Sequence, residues 1–247
     1  MYDRDLMDLS IVIPVLNEQE NILPLLTEIR VVFDGLLNYE VIFVDDGSSD
    51  GTLEKLKTAG ASFLGVRIIS HRKSCGQSSA LRTGIKAAKS PWVATLDGDG
   101  QNDPADITAL YSRINEPASN KLWLIVGWRI NRKDNWVKRH SSKIANFVRS
   151  RVLNDTTPDS GCGLKLIRRE VFLELPYFDH MHRFLPALVM RAGGRVESIE
   201  VNHRPRQRGF SKYGTWDRLW VGITDLIGVG WLQRRATLPE VAEYECD

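Results

Sequence analysis

The chain has few cysteines, no long uninterrupted apolar run and almost no net charge, and each shortage excludes something. Cys75, Cys162 and Cys246 are odd in number and widely separated. They make neither a disulfide framework nor a paired metal motif, so a reducing compartment is expected. No window of about 18 uncharged apolar residues occurs, which argues against a membrane-spanning helix. The opening MYDRDLMDLS lacks the basic flank and apolar stretch of a secretion signal. No G-x-G-x-x-G follows the first apolar run and no G-x-x-x-x-G-K-[ST] occurs, so dinucleotide-binding and P-loop readings lose support. A net charge of +2, with no aromatics interleaved among the basic residues, argues against a nucleic-acid partner. His71, His140, His180, His182 and His203 show no metal-ligand spacing and read as structural or surface residues.

What is present is an ordinary globular composition, 43% hydrophobic and 26% charged over 247 residues, enough for one substantial core. Leu9–Val15, Tyr39–Val44, Val66–Ile69 and Trp92–Leu96 are Val- and Ile-rich runs, as parallel strands buried on both faces require. Helical patterns over Glu18–Phe33, Thr52–Ala59 and Ser78–Ala88 separate them. This alternation predicts a doubly wound α/β domain with a mostly parallel sheet flanked by helices. A further helix is expected to begin at Asp103-Pro104, with Asp as cap and Pro at the first helical position. Strands are expected at Leu122–Val126 and Arg195–Asn202, with a basic helix over Asn135–Val152 and a turn-rich loop over Thr156–Gly163 between them.

Polar clusters follow three of the strands directly: Asn17-Glu18, Asp45-Asp46 and Asp97-Gly98-Asp99-Gly100-Gln101. Ligands bind open α/β sheets outside the carboxyl ends of their strands, so the three clusters should share one rim. Asp97 and Asp99 concentrate negative charge at the end of a buried strand. A hard cation, Mg²⁺ or Mn²⁺, relieves that conflict, with the carbonyl of Gln101 as a further oxygen ligand. Asn17 with Glu20 also fits a capping box, and Asp50 fits a cap for the next helix.

The segments IPVLNEQENI, VDDGSSDGT, GQSSALRTGI and LDGDGQNDP, in this order, resemble the family 2 inverting glycosyltransferases of GT-A fold. Within that family the likeness is greatest to the polyprenyl-phosphate and dolichyl-phosphate sugar synthases, over roughly residues 8–212. The resemblance implies a nucleotide pocket from Pro14, Asn17, Glu18, Asp45, Asp46, Gln77 and Asp97, and metal ligation by Asp97, Asp99 and Gln101. Many relatives carry Ala or Leu in place of Gly98 and Gly100, so these glycines are expected to loosen the metal loop.

A phosphate monoester acceptor is already largely dianionic at neutral pH and needs cations more than a base. Arg204, Arg206 and Arg208 alternate in HRPRQRG, so an extended strand points all three one way. Arg129, Arg132 and Arg139 cluster before or within the basic helix, and the Arg fork suits phosphate. The stretch RPRQRGFSKY, with Ser211 and Lys212, resembles a segment of the lipid-phosphate synthases, in which Arg129 and Arg139 match acceptor-phosphate positions. Asp159 in PDSGCGLKLIRRE matches a loop aspartate near the sugar, where it would orient the acceptor or act as a base. The implied catalytic set is therefore Asp99, Asp159 and Arg206. Arg168 reads equally as phosphate-facing or helix-surface. Trp216–Leu232, with three tryptophans, Asp217, Arg218 and Asp225, is too charged to span a membrane and suits an interfacial or partner-docking helix. The expected organisation is a catalytic domain over 1–212 and a membrane-facing segment over 213–247. The protein would sit on the cytoplasmic face of the membrane, with a small integral subunit as a possible partner. Two rivals stay open at this point: a family 2 transferase acting on a soluble glycan, and a non-catalytic nucleotide-sugar-binding protein.

Overall fold

The computed structural model describes residues 7–116, 121–130, 149–205, 215–235 and 237, with the backbone course alone for 215–221. Seven strands form one sheet in the order β3-β2-β1-β4-β6-β5-β7. β1 (Leu9–Val15), β2 (Tyr39–Asp45), β3 (Val66–Ser70) and β4 (Trp92–Thr95) are parallel neighbours. The alternation read from the sequence is therefore present, with α1 (Ile22–Phe33), α2 (Thr52–Ser62) and α3 (Gln77–Ala87) as the crossovers. Leu9, Ile11, Val12 and Ile13 on β1 and Ile42, Phe43 and Val44 on β2 are fully buried. Consecutive residues of a strand point to opposite faces, so both faces are covered. Each such side chain contributes roughly 1.5–3 kcal/mol relative to exposure.

The second half departs from simple winding. After α4 (Asp106–Ser112) and β5 (Leu122–Arg129), β6 (Lys165–Arg168) enters antiparallel between β4 and β5. β7 (Arg195–Val201) then pairs parallel with β5. α5 (Arg169–Glu174), α6 (Leu185–Arg191) and α7 (Thr215–Gln233) are the remaining named α-helices. Residues 149–153 are helical, whereas the rest of the expected basic helix, including Arg139, lies outside the described residues. So do Arg132, Arg206, Arg208, Ser211 and Lys212.

The expected caps are met unevenly. Asp103 accepts the Ala105 N–H at 3.0 Å, but α4 begins at Asp106 with Ala105 as its cap, so Pro104 precedes the helix. Asp50 accepts the Thr52 N–H at 3.0 Å from just ahead of Gly51, the cap of α2. The Asn17/Glu20 box does not form. Asn17 sits at φ 50°, and its side-chain oxygen accepts the Ser49 N–H at 2.7 Å, clamping the loop after β1 to the loop after β2.

At the opposite end of the sheet, buried Glu40 accepts hydrogen bonds from Ser10 Oγ (2.7 Å), Arg67 Nη1 (2.7 Å) and the Lys89 N–H (2.7 Å). Burial pushes its carboxyl up, but Arg67, the Lys89 amide and Ser10 outweigh that and hold it below its ordinary value of 4.5. A depressed carboxylate stabilises the fold above the unfolded-state value, and that stability drains away as pH falls through the folded one. Glu40→Gln is expected to lower unfolding free energy at pH 7 by about 1–3 kcal/mol. The deficit should shrink below about pH 4.5, and a constant deficit from pH 7 to 3 in urea melts would contradict this.

Candidate active site

Because β1, β2 and β4 run parallel and in register, their carboxyl ends share one edge, as the strand-end clusters require. Val15 pairs with Asp45, and the Asp46 N–H donates to Val15 O at 2.9 Å. The reversal of β6 brings the start of that strand to the same edge, since Lys165 pairs with Thr95. The carboxyl ends of β5 and β7, carrying Arg129 and the Asn202–Arg204 segment, arrive there too.

The acidic side of the rim is tightly hydrogen-bonded. Asp45 accepts from Ser48 N (3.2 Å) and Ser70 Oγ (3.0 Å). Asp46 accepts from the Cys75 and Gly76 N–H groups (both 2.9 Å) and Ser74 Oγ (2.8 Å), and it meets His71 Nδ1 at 2.7 Å. Burial raises the Asp46 carboxyl, but these donors win and depress it. Glu18 takes the Asn21 amide on Oε2 at 2.7 Å, and its own N–H donates to Thr52 Oγ1 at 2.8 Å.

Asp97 behaves differently. Burial, and after it the neighbouring charge of Asp99, raises its carboxyl against the pull of Lys165, Arg129 and Gln77. Gln77, at the start of α3, donates its amide to Asp97 Oδ1 at 2.8 Å. Gly163 lies flat on the same carboxylate, where any Cβ would overlap Asp97, and Thr95 Oγ1 holds the Gly163 carbonyl at 2.7 Å. Gly163 is thus required by contact. Gly98 is likewise buried against Val15 and the Pro14 carbonyl, and Gly100 takes φ +71°. Gly98 thus permits close packing and Gly100 a left-handed turn. Asp99 Oδ1 accepts the Gln101 N–H at 3.1 Å. The Gln101 main-chain carbonyl accepts the Arg204 N–H at 3.0 Å, and its side-chain amide donates to Arg204 O at 3.3 Å.

The cations sit against their own acids. Arg129 grips Asp159 in a two-pronged pair, Nε to Oδ2 at 2.7 Å and Nη2 to Oδ1 at 2.9 Å, with both side chains largely buried. Burial alone would lower the guanidinium, but the Asp159 hydrogen bonds raise it, fixing its charge. Arg204 reaches Glu28 at 2.7 Å and Asp103 at 2.6 Å rather than the Asp97 side of the rim. Arg168 lies at the far edge, over the Trp92 ring at 5.4 Å, which removes it from any rim phosphate.

Three rim residues escaped the sequence reading. Lys165 is 3% exposed and donates to the Cys162 carbonyl; burial lowers its ammonium while Cys162 and Asp97 oppose the shift. His182 is tied by Nδ1 to Ser78 Oγ at 2.8 Å, and burial holds it neutral. Lys165, His182, Asp97 and Gln77 line one cavity of about 130 Å³. His203, read as structural or surface, forms a bridge with Asn102 beside the Asp99–Gln101 turn. A lone lysine inside the apolar run GLKLI was the available signal for Lys165.

A family model, Glycosyl transferase family 2, matches residues 10–175. The chain is similar to dodecaprenyl-phosphate galacturonate synthase of Rhizobium johnstonii, 35% identical over 238 residues, covering 94% of this chain and 69% of that one. It is also similar to undecaprenyl-phosphate 4-deoxy-4-formamido-L-arabinose transferase of Aeromonas hydrophila, 34% identical over 87% of this chain and 65% of that one. The chain thus spans about two thirds of the length of these relatives. Among solved structures, glucosyl-3-phosphoglycerate synthase from Mycobacterium tuberculosis, in complex with Mn²⁺, UDP-glucose and phosphoglyceric acid, superposes with a TM-score of 0.66. It is 18% identical, over 92% of this chain and 79% of that one, and shares the fold. From the family match and the length over which the relatives align, the chain belongs to glycosyltransferase family 2.

Proposed function

We propose that the protein transfers a sugar from a nucleotide diphosphate-sugar, UDP- or GDP-linked, to a polyprenyl phosphate with inversion at the sugar. The observation that carries this reading is the Asp97/Asp99 pair following β4, with Asp97 held by the Gln77 amide at 2.8 Å and Asp99 by the Gln101 N–H at 3.1 Å. Burial disfavours a charged Asp97 unless a cation neutralises it. The donor set is all oxygen, which fits Mg²⁺ or Mn²⁺. Asp97, Asp99 and Gln101 would hold it, Gln101 through its side-chain carbonyl because the main-chain one takes the Arg204 N–H, and when bound it would neutralise the departing diphosphate. Pro14, Asn17, Glu18, Asp45, Asp46, Gln77 and Asp97 would receive the nucleotide.

The acceptor phosphate would be held by Arg129, Arg139, Arg204, Arg206, Arg208, Ser211 and Lys212. Arg129 and Arg204 already lie on the rim, each on a carboxylate that a phosphate would replace or join. Two relatives named for polyprenyl-phosphate chemistry, aligned over most of this chain, support that acceptor class.

We assign residues 1–212 to catalysis and 213–247 to contact with a membrane surface or a small integral subunit, on the cytoplasmic face. Among the described residues no helix is long and apolar enough to cross a membrane. α7 instead docks on the domain through buried Val229 and the Gln233 amide, which donates to Leu153 O at 2.9 Å. Ile223, Ile227 and Trp231 are left exposed at four-residue intervals along one face, as an interfacial helix would present them.

The test is transfer of radiolabel from UDP- and GDP-sugars to short-chain polyprenyl phosphate with Mg²⁺ or Mn²⁺ and an EDTA control. Organic-extractable product that needs metal is the expected result. Transfer to a soluble glycan hydroxyl with no lipid product would overturn the acceptor assignment.

A further inference from the structure

A second group of ligand-type side chains lies on the rim away from Asp99. Asp46, His71 and Cys75 bring a carboxylate oxygen, a ring nitrogen and a thiol to within 4.8 Å of one another. Neither the sequence reading nor the family assignment gives His71 or Cys75 a part. We propose that these three residues form a separate site for a borderline-soft divalent ion of the Zn²⁺ class, whose occupation opposes nucleotide binding at the end of β2.

The donor set distinguishes this site from the first. Mixed nitrogen, sulfur and oxygen ligands select zinc-like ions, whereas Asp97, Asp99 and Gln101 offer oxygen alone. Its surroundings are organised for ligation. The far ring nitrogen of His71 meets Thr83 Oγ1 at 3.0 Å, and a hydroxyl can accept as well as donate, so the ring stays oriented when Nδ1 turns to a metal. Asp46 Oδ2 is steadied by Ser74 Oγ at 2.8 Å and the Gly76 N–H at 2.9 Å, which leaves Oδ1 facing His71 and the Cys75 amide. Cys75 is exposed, giving an ion a way in, and its thiol rests on the Lys73 carbonyl at 3.3 Å. Binding releases the Cys75 thiol proton to solvent, while neutral His71 ligates through Nδ1 with its ring proton on Nε2, where Thr83 Oγ1 accepts it. Three protein ligands leave a fourth position for water.

Occupation would reach the donor side through the chain itself. Gly76 donates to Asp46, and the next residue, Gln77, donates to Asp97 at 2.8 Å. A metal that draws Cys75 onto Asp46 therefore moves the loop entering α3. The antagonism to nucleotide rests on the donor-binding reading above; the metal site itself does not.

Co²⁺ titration of the reduced full-length protein tests the site. One equivalent should give a thiolate-to-cobalt charge-transfer band that Zn²⁺ bleaches, that is lost in Cys75→Ala and His71→Gln, and that persists in Asp99→Ala and Cys246→Ala. No thiolate band, or a band retained in Cys75→Ala, would overturn the site. Calorimetry of UDP in Mn²⁺ should then show affinity about tenfold weaker with equimolar Zn²⁺ in the wild type and unchanged in Cys75→Ala. Equal weakening in both proteins would place the zinc effect at Asp97/Asp99 and overturn the antagonism. Absence of UDP binding even without Zn²⁺ would refute the donor reading and, with it, the antagonism, while the cobalt band would still decide the site.

Discussion

Asp99→Ala is expected to lower kcat by about a hundred- to a thousand-fold, the usual cost of removing one group that stabilises developing charge. The effect should fall on turnover because Asp99 does little for the fold: its described hydrogen bond is the local one from the Gln101 N–H at 3.1 Å. Deleting a partly exposed side chain of this kind changes stability by about 0.5 kcal/mol or less. For a domain of this size that is a melting shift of about 2 °C or less. Nucleotide titrations should show weaker metal-dependent binding in the variant. A folded Asp99→Ala protein with near-normal kcat would remove the oxygen-ligand metal site from the account.

The second large effect belongs to the Arg129–Asp159 pair. Both side chains are about nine-tenths buried, and both carboxylate oxygens accept from the guanidinium. Removing either partner strands a buried charge, so Asp159→Ala and Arg129→Ala are each expected to cost about 3–5 kcal/mol of stability. The double variant should cost clearly less than the two together, because the second deletion removes the charge stranded by the first. Additivity within about 0.5 kcal/mol in urea denaturation would show that the pair is not coupled. The geometry also bears on Asp159 as a base. A carboxylate gripped at both oxygens by a fixed positive charge is poor at taking a proton, and an already ionised phosphate acceptor needs none. Orientation of Arg129 is the role its contacts support.

How much of this could be read from the sequence followed from how local each signal was. β1 and β2 announce themselves because burial on both faces demands an unbroken apolar run, and their ends carry the acidic clusters directly. β6 was missed because its four residues, KLIR, alternate charged ends with a short apolar centre and follow a turn-rich loop. What makes it a strand is pairing with β4 and β5, neither adjacent in sequence. Asn17 shows the same override: a local capping pattern lost to a hydrogen bond with Ser49 across the rim. Arg204 lies beyond the end of β7 at Val201, and Glu28 on α1 sets where its guanidinium goes. His71 met Asp46 only through tertiary structure, and no spacing rule connects them.

The reversed strand β6 also sets an order of assembly. β1 to β4 and their crossover helices are complete by residue 95, so the acidic side of the rim can form while the later residues are still being made. β6 pairs Thr95 with Lys165, some seventy positions on, and β5 finds β7 only after residue 195. Such long-range closures carry the slowest steps of folding. A nascent or truncated chain would therefore hold the Asp97 carboxylate before it held Lys165, Gly163 or the Arg129–Asp159 pair. Competence for transfer arrives last, with the antiparallel strand that stitches the two halves of the sheet together.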